Sequence, residues 1–106
     1  MRSRWMMSEL EEEVLAIAAH LNLDPERNLG LDALWPLLEA IRNDGGVVVI
    51  KLDGERSPQF GDNGVYTVVL SSGSLFDDFF RRDSDDLRQT LLESIAYYAE
   101  RAGWND

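Results

Sequence analysis

Residues 47–52, Val-Val-Val-Ile-Lys-Leu, carry the strongest β-strand pattern in the chain. β-branched residues dominate the stretch, and they favour strands because they pack well on a pleated surface. Residues 65–70, Val-Tyr-Thr-Val-Val-Leu, repeat this character. In both stretches apolar side chains fall on both alternating faces, and a strand of that kind needs cover on both sides. We therefore predict a small antiparallel sheet with helices on both faces.

Two helices are predicted before these strands. The capping box Ser8-Glu9-Leu10-Glu11 starts the first, which we expect to run to about Leu21. Asp32 is the predicted N-cap of the second helix, over residues 33–43. Pro36 then lies at the fourth helical position, where a missing N–H has no helical partner to lose.

The region after the second strand is predicted to be helical. Residues 76–80 are interpreted as a helical turn, and Asp83 or Ser84 as the N-cap of a last helix that ends at Gly103. Between the strands, residues 55–60 are either part of a long loop or a short third strand, which Pro58 would restrict to a sheet edge. The predicted class is α+β, with a two- or three-stranded antiparallel sheet and the order α-α-β-β-α.

Residues 34–102 thus follow the order helix, Gly-Gly, strand, loop, strand, helix. This order resembles the small α-β-β-α domains, or ABA sandwiches, of phage and prophage proteins over about two-thirds of the chain. The resemblance implies an α+β fold. It implies no chemistry for any particular residue.

Length and composition indicate one domain. A chain of 106 residues with 44% apolar and 28% charged residues is typical of a folded domain. We expect residues 8–106 to form a single α+β domain and residues 1–7 to be an extension without stable structure. The basic residues at the start are not followed by a hydrophobic stretch, so we do not expect a secretory signal.

The chain contains no cysteine. That composition excludes disulfides, thiolate zinc sites and thiol catalysis, and it favours a reducing cytoplasm as the location. No apolar run approaches the roughly 20 residues that span a bilayer, so no membrane association is predicted.

Charge is the strongest compositional signal. Twenty acidic residues against ten basic ones give a formal net charge of −10. Such a surface repels phosphate backbones and anionic membranes, so nucleic-acid binding is not expected. The charge serves solubility alone, or it also meets a basic protein partner. The second reading gives our hypothesis of a non-enzymatic interaction protein, of the adaptor, inhibitor or immunity type.

No catalytic or metal-binding constellation is predicted. His20 is the only histidine, and no nucleophile with an orienting partner accompanies it. Five carboxylates fall within residues 77–86, but they lack the spacing and the glycine of an EF-hand loop, so we interpret them as helix caps. We expect no catalytic residue, metal or cofactor. The alternative is a small carboxylate- or metal-dependent enzyme, which would show a pocket with converging polar groups.

The predicted partner surface consists of Glu55 and Arg56 in the inter-strand connection, with Asp77 and Asp78 after the second strand. All four are expected to be exposed polar groups that the core does not need. A sheet of two or three strands also leaves two unpaired edges. The chain is therefore either a homodimer that joins edges or packs exposed aromatic surface, or a monomer whose helices cover the edges.

Overall fold

The computed structural model describes residues 7–57 and 64–105, which form three α-helices and one three-stranded antiparallel sheet. The elements in chain order are α1 (Glu9–His20), α2 (Leu31–Asn43), β1 (Gly46–Leu52), β2 (Tyr66–Ser72), β3 (Phe79–Ser84) and α3 (Leu87–Ala102). β2 is the middle strand, paired with β1 on one side and β3 on the other. The predicted α+β class and the predicted antiparallel sheet of two or three strands are confirmed, with β3 as an added element.

The first helix begins as the sequence predicts. The Ser8 hydroxyl accepts a hydrogen bond from the Glu11 N–H at 3.1 Å, and the Glu11 carboxylate accepts one from the Ser8 N–H at 2.7 Å. The predicted extension lies outside the described residues over positions 1–6. Its last residue, Met7, is instead half-buried against the core and accepts a hydrogen bond from Arg27 at its sulfur.

The second helix begins two residues earlier than predicted. Gly30, and not Asp32, is the N-cap of α2. Pro36 is consequently the sixth residue of the helix, where its missing N–H removes the bond that would reach the Asp32 carbonyl. Both residues are exposed, so water can satisfy that carbonyl.

The helical turn that was predicted over residues 76–80 is not formed: residues 76–78 are a turn, and residues 79 and 80 begin a strand. Only Gly73–Leu75 forms a single 3₁₀ turn, and β3 follows, paired with β2 along its whole length. The prediction was wrong because Phe79 and Phe80 are adjacent and apolar, which hides a period of two. In the strand they lie on opposite faces.

The last helix is capped by Asp86, whose side chain accepts a hydrogen bond from the Gln89 N–H at 3.1 Å. The predicted caps Asp83 and Ser84 belong to β3 instead. The predicted end is confirmed: Gly103 adopts the left-handed conformation, with φ of 76°, that glycine enters at little cost. In the inter-strand connection, residues 55–57 form no strand, and 58–60 lie outside the described residues.

One face of the sheet carries the core. The buried residues of all three helices form a single cluster with Val68 and Leu70 of β2. The register aligns Val48 with Leu70 and Ile50 with Val68, so these β1 side chains face the helices too.

The other face of the sheet is open. Val47, Val49 and Phe79 lie on it with 48%, 49% and 60% of their surface exposed. The two-sided apolar pattern of the strands therefore does not bring helices to both faces in the part of the chain that the structure describes.

The helical layer is wider than the sheet. α3 packs over β2 and β3 and lies between α1 and α2. Packed helices are about 8–10 Å apart and paired strands about 4.8 Å apart, so three helix axes span about 18 Å and three strands about 10 Å. The helical layer is therefore wider than the sheet, and residues of α1 and α2 line grooves along its two edges.

Candidate functional site

The four residues of the predicted partner surface do not come together. Glu55 and Arg56 follow β1, whereas Asp77 and Asp78 lie in the turn between β2 and β3. These two connections are at opposite ends of β2, which has seven residues and a length of about 20 Å. The four residues therefore form two groups, one at each end of the sheet.

Two of the four also have structural partners. Arg56 donates a hydrogen bond to the Gly64 carbonyl at 3.1 Å and forms ion pairs with Asp53 and Asp83 at 3.4 and 3.6 Å. These contacts hold the described ends of the inter-strand connection together. Glu55, Asp77 and Asp78 are exposed, as expected, whereas Arg56 is half-buried.

Asp78 anchors its turn to α3. Its carboxylate accepts a hydrogen bond from the Tyr97 hydroxyl at 2.5 Å and pairs with Arg101 at 3.0 Å. The Tyr97 hydrogen bond is the main cause that lowers the pKa of Asp78, and the Phe79 N–H contributes next. The same hydrogen bond raises the pKa of the Tyr97 hydroxyl. The Arg101 guanidinium also lies 3.8 Å from the centre of the Tyr97 ring.

An acidic groove lies beneath α1, along the edge that β3 forms. Glu13 of α1 lines it together with Glu93 and Glu100 of α3, and Arg82 of β3 is the one cation that the described residues contribute to its wall. One Glu93 oxygen is fully buried, and its contact with Arg82 is an ion pair at 3.2 Å without hydrogen-bond geometry. The groove is shallow and has a volume of about 370 Å³, and Leu10, Phe80, Ala96 and Tyr97 complete its lining.

An apolar groove lies beneath α2, along the edge that β1 forms. It has a volume of about 600 Å³, and its wall contains one ion pair, Arg42 with Glu39 at 3.0 Å. The remaining lining is Trp35 and Leu38 of α2 with Gly46, Val47, Val48 and Ile50 of β1. Trp35 is 58% exposed, so a large aromatic surface stands open at the mouth of this groove.

The backbone of β1 adds unpaired polar groups to the apolar groove. The Asp53 N–H donates to the Val65 carbonyl at 2.8 Å, which continues the register of β1 with β2. Since residues alternate along an antiparallel pair, Val49 and Lys51 direct their backbone groups toward β2, and Val48 and Ile50 direct theirs away from it. No described strand pairs with that outer edge.

Sequence reasoning missed both grooves. Their walls come from elements distant in sequence, and the excess width of the helical layer is a tertiary property. One signal was available in α2. Trp35 falls outside the buried stripe that Leu34, Leu37, Leu38 and Ile41 form, and a tryptophan outside the core stripe indicates an exposed contact surface.

Over residues 7–57 and 64–105, no group of three or more His, Cys, Asp or Glu side chains is arranged to hold a metal ion. Within the same ranges, no helix is both long enough and apolar enough to cross a bilayer.

Comparison with protein-family models, with curated proteins and with solved structures finds no match for this chain. The resemblance to phage-type α-β-β-α domains stays a prediction.

Proposed function

We propose that this chain is a non-enzymatic interaction protein that binds a basic protein partner. The observation that carries the proposal is the acidic groove beneath α1, in a chain of net charge −10. Three carboxylates face one cation in its wall, so the groove attracts lysine and arginine side chains.

Asp77 and Asp78 extend this acidic surface. Asp78 is joined to Tyr97, which lines the groove, and Asp77 precedes it in the same turn. We therefore keep Asp77 and Asp78 in the proposed partner surface, with Asp77 as the charge that has no ion pair in the described residues. Glu55 and Arg56 lie at the other end of the sheet and are not part of it.

The charge of the groove explains a high association rate better than it explains a high affinity. An exposed ion pair contributes only about 0.2–1 kcal/mol, whereas complementary fields raise the association rate strongly at low ionic strength. We therefore assign steering to the acidic groove and expect most of the affinity to come from an apolar contact elsewhere.

The test begins with purification of partners on the immobilised chain and continues with association rates for each purified partner at several salt concentrations. The double variant Glu13→Lys/Glu100→Lys reverses the groove. Asp24→Lys/Glu26→Lys makes the same change in net charge in the exposed connection between α1 and α2. We expect the groove variant to slow association about tenfold at low salt and to flatten the salt dependence, with a smaller effect from the control.

Asp77→Lys examines the sequence-predicted part of the surface, and we expect a smaller slowing in the same direction. Asp78 is left unchanged because its replacement would also release Tyr97 and Arg101. Association that does not depend on salt, or equal effects of the groove variant and its control, would overturn the proposal.

A further inference from the structure

We propose that the free edge of β1, beneath α2, binds an extended segment of the partner as a fourth strand of the sheet. The inference deepens the proposed function and rests on it for the basic character of the partner. It concerns the opposite edge of the sheet from the acidic groove, and other observations carry it.

The first observation is the contrast between the two sheet edges. Exposed edges attract additional strands, and proteins commonly protect them with charged side chains. β3 carries Arg81, Arg82 and Asp83 in sequence, whereas β1 reads Gly-Val-Val-Val-Ile-Lys-Leu and has one charge. The edge that β1 forms is therefore the less protected of the two.

The second observation is the fit of one strand to the space beneath α2. Residues of α2 and β1 together line the apolar groove, and an added strand would lie about 4.8 Å beyond β1, within that groove. The outward backbone groups of Val48 and Ile50 would form its hydrogen bonds. Since these residues face the helices, the residues opposite them in an antiparallel pair would direct their side chains into the groove, against Trp35.

A second copy of this chain fits the edge poorly. Antiparallel pairing of β1 with β1 of another copy would place both α2 helices on the same face. The two β1 strands would be about 4.8 Å apart and α2 packs over β1, so the two helix axes would lie about 5 Å apart or less, closer than the 8–10 Å that packed helices need. The space accommodates a strand without a covering helix of its own.

Charge indicates the chemistry of the segment. The wall of the apolar groove carries the balanced pair Glu39 and Arg42. Near the ends of β1, Asp53 is already paired with Lys51 and Arg56, and Asp44 accepts hydrogen bonds from Ser74 and Tyr98. The groove therefore selects apolar residues at every second position, and the lysine or arginine on the flanks follows from the net charge of −10 and from the proposed basic partner.

The probe is the synthetic peptide KKVTVTVKK, with valines for the groove and threonines for the open face. Two matched derivatives carry N-methyl groups, one on the valine amides and one on the threonine amides. In an antiparallel pair only the valine amides donate to β1, and each lost hydrogen bond costs about 1 kcal/mol. We expect valine methylation to weaken binding at least tenfold, and threonine methylation to change it by less than about twofold.

Two further measurements locate the peptide. Trp35→Ala should weaken binding about tenfold, whereas Leu31→Ala, which truncates another half-exposed side chain of α2 outside the groove, should leave it nearly unchanged. Circular dichroism verifies that both variants fold. In NMR spectra, the amides of Val48 and Ile50 should shift and become protected when peptide is added, while those of Phe79 and Arg81 on the β3 edge should not.

The outcomes separate the inference from the proposed function. Equal effects of the two methylation patterns, protection on the β3 edge, or absence of peptide binding would each overturn strand addition. None of these results would alter the salt dependence assigned to the acidic groove. A chain that is already dimeric through β1 before peptide is added would overturn the inference as well, because the edge would be occupied.

Discussion

Tyr98 joins three segments of the chain through one hydroxyl group. The hydroxyl donates to Asp44, just after α2, at 2.5 Å and accepts a hydrogen bond from the Ser74 N–H at 3.0 Å. The Ser74 hydroxyl donates to the same Asp44 oxygen at 2.5 Å. Burial and the bond to Asp44 both raise the pKa of Tyr98. The hydrogen bonds from Ser74 and Tyr98, in that order, lower the pKa of Asp44.

Replacement of Asp44 tests this cluster. A carboxylate with a lowered pKa in the folded state stabilises the fold above its ordinary pKa of 3.8, and the contribution is lost as pH falls through the folded-state value. We expect Asp44→Asn to lower the free energy of unfolding by about 1 kcal/mol at pH 7 and by clearly less near pH 3. Urea unfolding at both pH values measures it. A loss of equal size at both would show that ionisation of Asp44 contributes nothing.

The residues of this cluster show which contacts a local sequence pattern cannot predict. Ser8 and Glu11 are three positions apart, so their capping box can be identified from a local pattern. Asp44, Ser74 and Tyr98 are separated by 30 and 24 positions, and no local pattern relates them. The same holds for Asp78 with Arg101. Asp78 is exposed, as predicted, but its ion pair with Arg101 joins residues 23 positions apart, so no local pattern indicates it.

Strand β1 illustrates the same limit at the level of an element. Its existence follows from β-branched composition, and the structure places it within one residue of the prediction. Which of its faces is covered, and which of its amides are paired, depend on the position of β2 and of the helices. From the apolar alternation alone, the amides of Val48 and Ile50 are expected to exchange with solvent as slowly as those of Val49 and Lys51.

Amide exchange distinguishes these two descriptions of β1. The N–H groups of Val49 and Lys51 face β2, and we expect them to exchange roughly tenfold or more slowly than those of Val48 and Ile50, which face the free edge. Val68, in the central strand, serves as the slow reference. Hydrogen exchange followed by NMR resolves each amide. Uniform protection along β1 in the free protein would mean that its outer edge is already covered.

Three helices pack on three strands, and the difference in width between the two layers determines where the surface grooves lie. The sequence predicts the fold class and the number of helices, because periodicity and caps are local. It does not predict the sheet width, since β3 carries little apolar alternation. With β3 in place, the helical layer is still wider than the sheet. A groove therefore lies along each sheet edge, an acidic one beneath α1 and an apolar one beneath α2.

The oligomeric state depends on how α2 covers the free edge of β1. An unprotected edge strand by itself favours a homodimer, and Trp35 adds exposed aromatic surface. Against pairing stand the steric conflict of two α2 helices and the mutual repulsion of two chains of net charge −10. We therefore expect a monomer of about 12.0 kDa by light scattering at micromolar concentration, at both low and high salt.

High salt is the more demanding condition, because it screens the repulsion and leaves only the steric conflict between the two α2 helices. A mass near twice this value at high salt would mean that α2 can move aside. A twofold mass that Trp35→Ala abolishes would instead assign the dimer to the aromatic surface.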